Sequence, residues 1–338
     1  MIYDCFTFYN ELEVLDLRLN ILNDVVDKFV LVEMNKTHMG DSKPFIFEEN
    51  KENFSKFIDK IVHIKVDKYP ELVNTKEDYY GNKWILENYQ RDQIMQGLSE
   101  AKDDDIIIIS DLDEIPNPDC VRQYTDGIQI FEQKNFYYYL NNLNVSDPIL
   151  RWGTKICHFA DLKDPKVELP YNPRYAYSKY GLPTYLRCCT DVSAIKYVKN
   201  AGWHFSFVMD IEKMITKRKS IVEQQFNTEE NMNYNYIKRA VEEGKDLFGR
   251  KYKYEAVNID KTFPQYLRKN KNKYSNIIFT ITPFYRLKLL PSKLKRFIIR
   301  VMTNIFSVKN LYLDYKKYKV LTFLGIKMKF KINGAKIM

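Results

Sequence analysis

Apolar positions in the first 115 residues follow two alternating periods. Runs rich in β-branched and aromatic residues at Ile2–Phe8, Lys28–Glu33, Ile61–Val66 and Asp105–Ser110 are separated by stretches whose apolar residues recur every three or four positions. This is the βαβ pattern of a mostly parallel sheet flanked by helices. Leu12, Leu15, Leu19 and Leu22 mark the first helix, and Ile85, Tyr89, Ile94 and Leu98 mark another over about 84–101. The four consecutive isoleucines inside Asp105–Ser110 leave no polar side, which predicts a central strand buried on both faces. Ligands of open α/β sheets sit at the carboxyl ends of strands. Immediately after this strand comes the acidic run Asp111-Leu112-Asp113-Glu114-Ile115-Pro116.

Beyond Pro118 the pattern is less regular. It predicts an aromatic strand over Phe136–Leu140, a loop at Arg151-Trp152-Gly153, a Pro/Tyr-rich stretch near 170–185 and an apolar run over 201–207. Helices are predicted from Asp210 to about Gln225 and from Asn233 to Glu243. After Pro291-Ser292, the spacing of Leu294, Phe297, Ile298, Val301, Met302, Ile305 and Phe306, with Lys293, Lys295, Arg296 and Arg300 between them, predicts a basic amphipathic helix. Val320–Ile332 reads as a hairpin around Gly325, in which lysines alternate with apolar residues. The predicted architecture is α/β, with a body over 1–264 and a basic segment over 265–338 made of that helix and hairpin.

Composition narrows the class. With 45% hydrophobic residues and only 11 glycines and 12 prolines in 338 residues, the chain builds a large core and is neither linker-like nor low-complexity. Five cysteines, of which Cys188 and Cys189 are adjacent, form no CxxC pair, so no disulfide framework or zinc ribbon is indicated. No run approaches the roughly 18 apolar residues of a spanning helix, and the start lacks a signal-like pattern. The expectation is a cytoplasmic protein.

The net charge of +9 is unevenly distributed. From Gln265 onward there are 18 Lys and Arg against Asp314 alone, whereas residues 1–264 hold 35 basic and 43 acidic residues. The acidic body argues against a nucleic-acid binder, and no nucleic-acid motif accompanies the basic segment. The basic helix suits an anionic membrane surface, with contact through 283–338 on the inner face of the plasma membrane. The alternative is that its apolar stripe packs on the body and its lysines stay solvated.

Two aspartates spaced i, i+2 at a strand end suit a hard divalent cation, Mn²⁺ or Mg²⁺, which keeps positions open for substrate phosphates. Asp111 and Asp113 therefore suggest a substrate whose diphosphate leaving group a metal neutralises. In the plainer reading the acids only follow a buried strand and cap the next turn. A metal-dependent phosphatase or phosphotransferase of the haloacid-dehalogenase type also places two such aspartates at a strand end. That motif continues with a small residue and Thr or Val and lies on the first strand, unlike Glu114-Ile115-Pro116 here. A third reading is a catalytically idle peripheral-membrane scaffold.

The ordered set Tyr3-Asp4-Cys5-Phe6-Thr7-Phe8, Asn10-Glu11, Val32-Glu33, Asn35-Lys36-Thr37-His38, Lys43-Pro44, Gln90-Arg91, Asp111 to Pro116, Trp152-Gly153, Gly202-Trp203-His204, Asn235-Tyr236-Ile237 and Asp246-Leu247-Phe248-Gly249 resembles glycosyltransferase family 17 over about residues 2–250. The resemblance implies a GT-A-type nucleotide-sugar fold, a metal-binding DXD motif and inversion at the anomeric carbon. It further implies transfer of N-acetylglucosamine from UDP-N-acetylglucosamine to a glycan or lipid-linked saccharide, here by a soluble, bacterial-type member. On this resemblance Asp111, Asp113 and His204 hold the metal, while Phe8, Glu11, Glu33, Arg91, Asp111 and Trp203 contact the donor. Each has a plainer alternative: helix capping for Glu11 and Glu33, an i, i+4 pair with Glu87 for Arg91, and core packing for His204 and Trp203. Inverting transfer needs a carboxylate base. Among Asp191, Asp210 and Glu212 in the acceptor half, Asp210 is favoured because it closely follows the histidine motif, and Glu114 is the other candidate. Tyr137, Tyr138 and Tyr139 are read as lining an acceptor groove, with at least one facing the core, and His38 and His63 as structural.

Overall fold

Side-chain alternation along the first strands builds two cores at once. On β1 (Ile2–Phe8), Tyr3 and Cys5 point to one face and Phe6 and Phe8 to the other. Phe6 and Phe8 lie with Phe29 and Leu31 of β2 (Lys28–Met34) beneath α1 (Leu12–Leu22), whose Leu15, Leu19 and Leu22 are fully buried. Burial of such a side chain stabilises by roughly 1.5–3 kcal/mol, so this leucine stripe docks the helix. The opposite core joins Tyr3, Cys5, Val30 and Val32 to Ile107 and Ile109 of β4 (Ile106–Asp111). The computed structural model describes residues 1–70, 81–164, 182–187, 195–313, 316–323 and 326–331. Cys188, Cys189, Asp191, Gly325 and most of the Pro/Tyr-rich stretch lie outside those residues.

Between β2 and β4 come α2 (Ile46–Asn50), β3 (Ile61–Val66), α3 (Gly81–Asp92) and α4 (Ile94–Gly97). The helix expected over 84–101 is thus broken at Gln93. Its polar residues Asn88, Gln90, Arg91 and Asp92 are buried along with Leu86, because this helix borders the site. After β4 the chain runs through β5 (Glu114–Pro116), α5 (Pro118–Arg122), β6 (Gln129–Tyr137), β7 (Asn142–Asn144), β8 (Ile149–Leu150), β9 (Lys155–His158), α6 (Phe159–Lys163) and α7 (Leu182–Arg187). Then come β10 (Lys196–Ser206), α8 (Ile211–Ser220), α9 (Tyr234–Glu243), β11 (Tyr254–Ala256) and α10 (Gln265–Lys269). The aromatic strand starts earlier than its sequence pattern suggests and ends at Tyr137, because Tyr138 takes φ +69° and leaves the extended conformation.

The sheet of this body runs β11-β7-β6-β9-β4-β1-β2-β3, with β10 added beside β6 and β5. All pairings between its strands of six residues or more are parallel: β1 with β2 and β4, β2 with β3, and β6 with β10. The short β9 is antiparallel to both β4 and β6. Two reversals restore direction, so β6 and β10 run the same way as β4. The carboxyl ends of β1, β2, β4, β6 and β10 therefore share one edge.

The chain divides into two units, Met1–Phe279 and Thr280–Met338. The division falls after the expected boundary at 264/265 because Leu267, Tyr274 and Ile277 are buried in the core that holds α1. The second unit contains α11 (Pro283–Leu289) and the expected amphipathic helix, α12 (Ser292–Ile305). Its antiparallel meander consists of β12 (Phe306–Leu313), β13 (Lys316–Phe323) and β14 (Ile326–Lys331). The last two strands are the expected hairpin; β12 was not visible in the pattern. Among the described residues no helix is long and apolar enough to cross a membrane.

Candidate active site

The shared strand edge opens into a cleft of about 300 Å³. Thr7, Phe8 and Tyr9 reach it from the end of β1, Asp111 and Asp113 from β4 and its turn, and His204 and Ser206 from β10. The cleft thus lies at the carboxyl end of the isoleucine strand, the position at which open α/β sheets bind ligands.

A buried arginine holds the acidic turn from below. Arg18 on α1, wholly inaccessible, donates from Nε and Nη2 to both carboxylate oxygens of Asp4 at 2.8 and 2.6 Å and from Nη2 to Ser110 Oγ at 2.6 Å. Its Nη1 lies 3.0 Å from the carbonyl oxygens of Asp111, Leu112 and Glu114. The turn that carries both aspartates is therefore bonded through its backbone to a buried ion pair.

Asp111 sits between two guanidinium groups. Arg91 Nη2 donates to Oδ1 at 3.1 Å and also to Glu87 at 3.0 Å, so the helical ion pair and the site contact exist together. Arg187 Nη2 donates to Asp111 Oδ2 at 3.0 Å and to Glu114 Oε1 at 2.5 Å. Burial opposes ionisation of Asp111, but these arginines outweigh it and hold the carboxyl well below the usual range. Glu114 is buried behind Asp111 and accepts its backbone N–H at 3.1 Å. Burial, reinforced by Asp111 and Asp113 against the pull of Arg187, pushes Glu114 up to about 7. Arg187 arrives on α7, which is pinned to α3 by Thr184 through Asp92 and the Asn88 carbonyl. Its Nη1 donates to the Trp152 carbonyl at 2.8 Å, which accounts for one half of the Trp152-Gly153 motif. Gly153 accounts for the other, since a Cβ there would lie 2.8 Å from Gln133 Oε1 and 3.1 Å from the Glu114 carboxyl carbon.

Asp113 faces His204 and Lys217. His204 Nε2 is 3.7 Å from Asp113 Oδ1, and Lys217 Nζ is 3.6 Å from Oδ2 and 2.7 Å from Glu11 Oε1. The register of β6 and β10 sets Asn135 beside His204, and His204 Nδ1 lies 3.0 Å from Asn135 Oδ1. That oxygen can only accept, so Nδ1 carries the proton and Nε2 presents a lone pair toward Asp113. Burial, the largest influence, holds the His204 pKa below its ordinary value and keeps the ring neutral at pH 7. Burial alone would raise Glu11, but the Lys217 contact overrides it and holds Glu11 below the usual range. Lys217 is in turn raised by Glu11 and Asp113 despite its burial.

Gly202 explains why the histidine motif begins with glycine. A Cβ there would lie 2.3 Å from the backbone oxygen of Ile115, and a backbone atom in a paired strand cannot move aside. Gly202→Ala is expected to cost about 1–3 kcal/mol, read as a lowered melting temperature in calorimetry. An unchanged melting temperature would contradict the close approach of β5 and β10.

The structure gathers Phe8, Glu11, Arg91, Asp111, Asp113 and His204 around one cleft. It does not bring the other candidates there. Glu33 is wholly buried, accepts the N–H of Phe47 at 3.2 Å at the start of α2 and contacts Lys43 and His63, so it is a capping and pairing hub. Trp203 alternates to the opposite side of β10, where its indole N–H donates to the Thr262 carbonyl at 2.9 Å inside the α1 core. Asp210 is the N-cap of α8, accepting the Lys213 N–H at 2.8 Å, and does not line the cleft. Of the three tyrosines Tyr137 lines the cleft, whereas Tyr138 is buried and donates to the Lys245 carbonyl at 2.7 Å. His38, read as structural, faces the cleft and lies 3.0 Å from Gln90 Oε1.

Sequence reasoning missed Arg18, Arg187, Lys217 and Glu223. Glu223 lines the same cleft from the loop after α8. That loop is pinned by buried Arg218, which donates to Asn227 Oδ1 at 2.7 Å and the Asn231 carbonyl at 2.8 Å, and by Gln224, which donates to the Ile221 carbonyl at 2.6 Å. Burial and the Glu87 carboxylate push Glu223 up to about 7, against the weaker pull of Lys217 and Arg250. A general base operating near neutrality needs such a value.

Part of the donor set fits a divalent cation. A neutral imidazole Nε2 beside the Asp113 carboxylate is a mixed N/O pair that suits Mn²⁺ or Mg²⁺. Asp111 in this arrangement is engaged by arginines, and among the described residues no group of three or more His, Cys, Asp or Glu is disposed to hold a metal.

Residues 1–160 match the model of glycosyltransferase family 17. A human β-1,4-mannosyl-glycoprotein 4-β-N-acetylglucosaminyltransferase is 36% identical over 118 residues, covering 33% of this chain and 21% of that protein. The rat protein of the same name is also 36% identical over 118 residues, and the mouse protein 35%. The chain thus spans about a fifth of the length of the curated relatives it matches. The family match covers β1 to β4, the Asp111–Glu114 turn and the Trp152-Gly153 loop, and ends before the histidine motif. The matched elements form the parallel half of the sheet and the acidic wall of the cleft, and over residues 1–160 the chain is similar to glycosyltransferase family 17.

Proposed function

We propose that this protein is a metal-dependent inverting glycosyltransferase that moves N-acetylglucosamine from UDP-N-acetylglucosamine to a hydroxyl of a glycan or lipid-linked saccharide. The observation that carries the reading is the meeting of Asp111, Asp113 and His204 with Arg91 and Lys217 at the carboxyl ends of the parallel strands. The names of the relatives support N-acetylglucosamine as the sugar. A phosphatase acting through an aspartyl-phosphate is disfavoured, since both carboxylate oxygens of Asp111 are directed at guanidinium groups.

In this mechanism Arg91 and Lys217 supply fixed positive charge to the donor's diphosphate, and Phe8 offers an apolar wall at the end of β1. Asp111, Asp113 and His204 would hold a divalent cation, which when bound would supply Lewis-acid neutralisation of the leaving group. Glu223 takes the proton of the acceptor hydroxyl as its oxygen bonds to the anomeric carbon. The bond from that carbon to the phosphate oxygen breaks, and the nucleoside diphosphate departs with the electron pair. Asn135 fixes the tautomer of His204, and Arg18 holds the aspartate turn in register.

Thermal-shift measurements test the reading. UDP-N-acetylglucosamine with Mn²⁺ is expected to raise the melting temperature more than either alone, by an amount equivalent to about 2.7 kcal/mol at a hundredfold excess over Kd. Asp113→Asn is expected to abolish the Mn²⁺-dependent part. A melting temperature indifferent to every nucleotide sugar with and without Mn²⁺ would defeat the proposal.

A further inference from the structure

The unit Thr280–Met338 is amphipathic in its helix and its sheet alike. Between 280 and 338 there are 14 Lys and Arg and a single acid, Asp314. On α12 the apolar residues Leu294, Phe297, Val301 and Ile305 recur three or four apart, and each is exposed, Phe297 to 63%. The meander repeats the pattern. Val308 pairs with Leu321 and Leu321 with Met328, while Phe323 pairs with Ile326, so these five share one face. Four of them are exposed: Val308, Phe323, Met328 and Ile326, the last to 67%. The other face takes Lys309, Val320 and Lys329 in one row and Thr322 and Lys327 in the next, with Lys329 Nζ lying 4.1 Å from the centre of the Tyr318 ring.

Folded chains in water seldom leave an apolar stripe and an apolar sheet face exposed in one small unit. Exposure of both calls for an apolar occupant, and the lysines call for a negative one. A second copy of this unit would meet the first with like charge, thirteen positive on each side over 280–338. A nucleic acid would match the lysines and leave Phe297 and Ile326 in water. An anionic bilayer surface meets both demands, since apolar side chains enter the boundary between headgroups and acyl chains while lysines remain among the headgroups.

We propose that the unit Thr280–Met338 docks this protein on an anionic lipid surface through the apolar residues of α12 and the Val308-Leu321-Met328 face, with its lysines among the headgroups. This holds independently of the catalytic reading.

Flotation of the full-length chain with vesicles tests it. Phosphatidylcholine vesicles containing about one-third phosphatidylserine are expected to carry the protein up the gradient, with recovery several-fold above phosphatidylcholine alone and reduced at high salt. Phe297→Ser with Ile326→Ser is expected to weaken partitioning at least tenfold. Lys327→Gln with Lys329→Gln is expected to weaken it about 30-fold, from roughly fivefold per lysine. All four side chains are exposed, so far-UV circular dichroism and the melting temperature should match the parent and exclude misfolding. Equal recovery on neutral and anionic vesicles, or full recovery of both variants, overturns the proposal. So does a dimer in light scattering that both substitution pairs abolish without any vesicle binding, which assigns the face to a second copy. Retention on heparin with no flotation overturns it in favour of a soluble polyanion.

Discussion

Arg18→Met is expected to destabilise the body by about 3–5 kcal/mol and to abolish the proposed sugar transfer. The stability loss follows from leaving Asp4, itself wholly buried, without the guanidinium that contacts both its oxygens. The loss of transfer has a separate cause, because the same guanidinium lies 3.0 Å from three carbonyls of the turn that carries Asp111 and Asp113. The double variant Arg18→Met with Asp4→Leu separates the two effects. Removing both charges replaces an ion pair by apolar volume, which commonly restores stability, so its melting temperature should recover most of the deficit. Its activity should not recover, since the turn carbonyls still lack their donor and a misplacement of about 1 Å can cost a hundredfold in rate. Melting curves and initial rates of both variants decide the matter. A stable double variant with the parent's turnover would show that Arg18 serves the core alone.

The second large effect is expected at Glu223. If it accepts the proton of the acceptor hydroxyl, Glu223→Gln lowers kcat by about 10²–10⁴ with little change in the donor's KM. The pH dependence carries the more specific signature. Its carboxyl, pushed up to about 7 by burial and by Glu87, is the active base only when deprotonated. Activity of the parent should therefore fall as pH drops below about 7, and the residual activity of the glutamine variant should lack that limb. The charged groups facing Glu223 are Glu87 from α3, Lys217 from α8 and Arg250. Glu87→Gln removes the negative neighbour and should move the limb to lower pH. Retention of the limb in Glu223→Gln would assign the base elsewhere, while donor binding in thermal-shift assays would remain an independent check on the transferase reading.

The parallel half of the fold was legible because its signals are local. Four consecutive isoleucines specify a strand buried on both faces, and the leucine spacing of α1 specifies a helix with one apolar stripe. The placement of Asp111 and Asp113 together at the edge of the cleft was legible for the same reason: adjacent acids at a strand end lie together whatever the rest of the chain does. Glu33 and Trp203 misled because alternation decides which side of a sheet a residue takes, and the register that sets it is a tertiary fact. Trp203 and His204 are neighbours in sequence, yet His204 faces the cleft and Trp203 the α1 core. Asp210 misled because proximity in sequence to His204 says nothing about direction; a helix starts there and uses the carboxylate as its cap.

The βαβ order, the acidic turn after β4 and the basic, amphipathic character of the last 59 residues were determined by the sequence alone, since each depends on spacing within a short segment. Only the tertiary structure decided which cations meet those acids. Arg18, Arg91, Arg187 and Lys217 come from four different helices and converge on one turn. Each long side chain could equally have lain in solvent; the packing of its helix on the sheet determines which charge it neutralises.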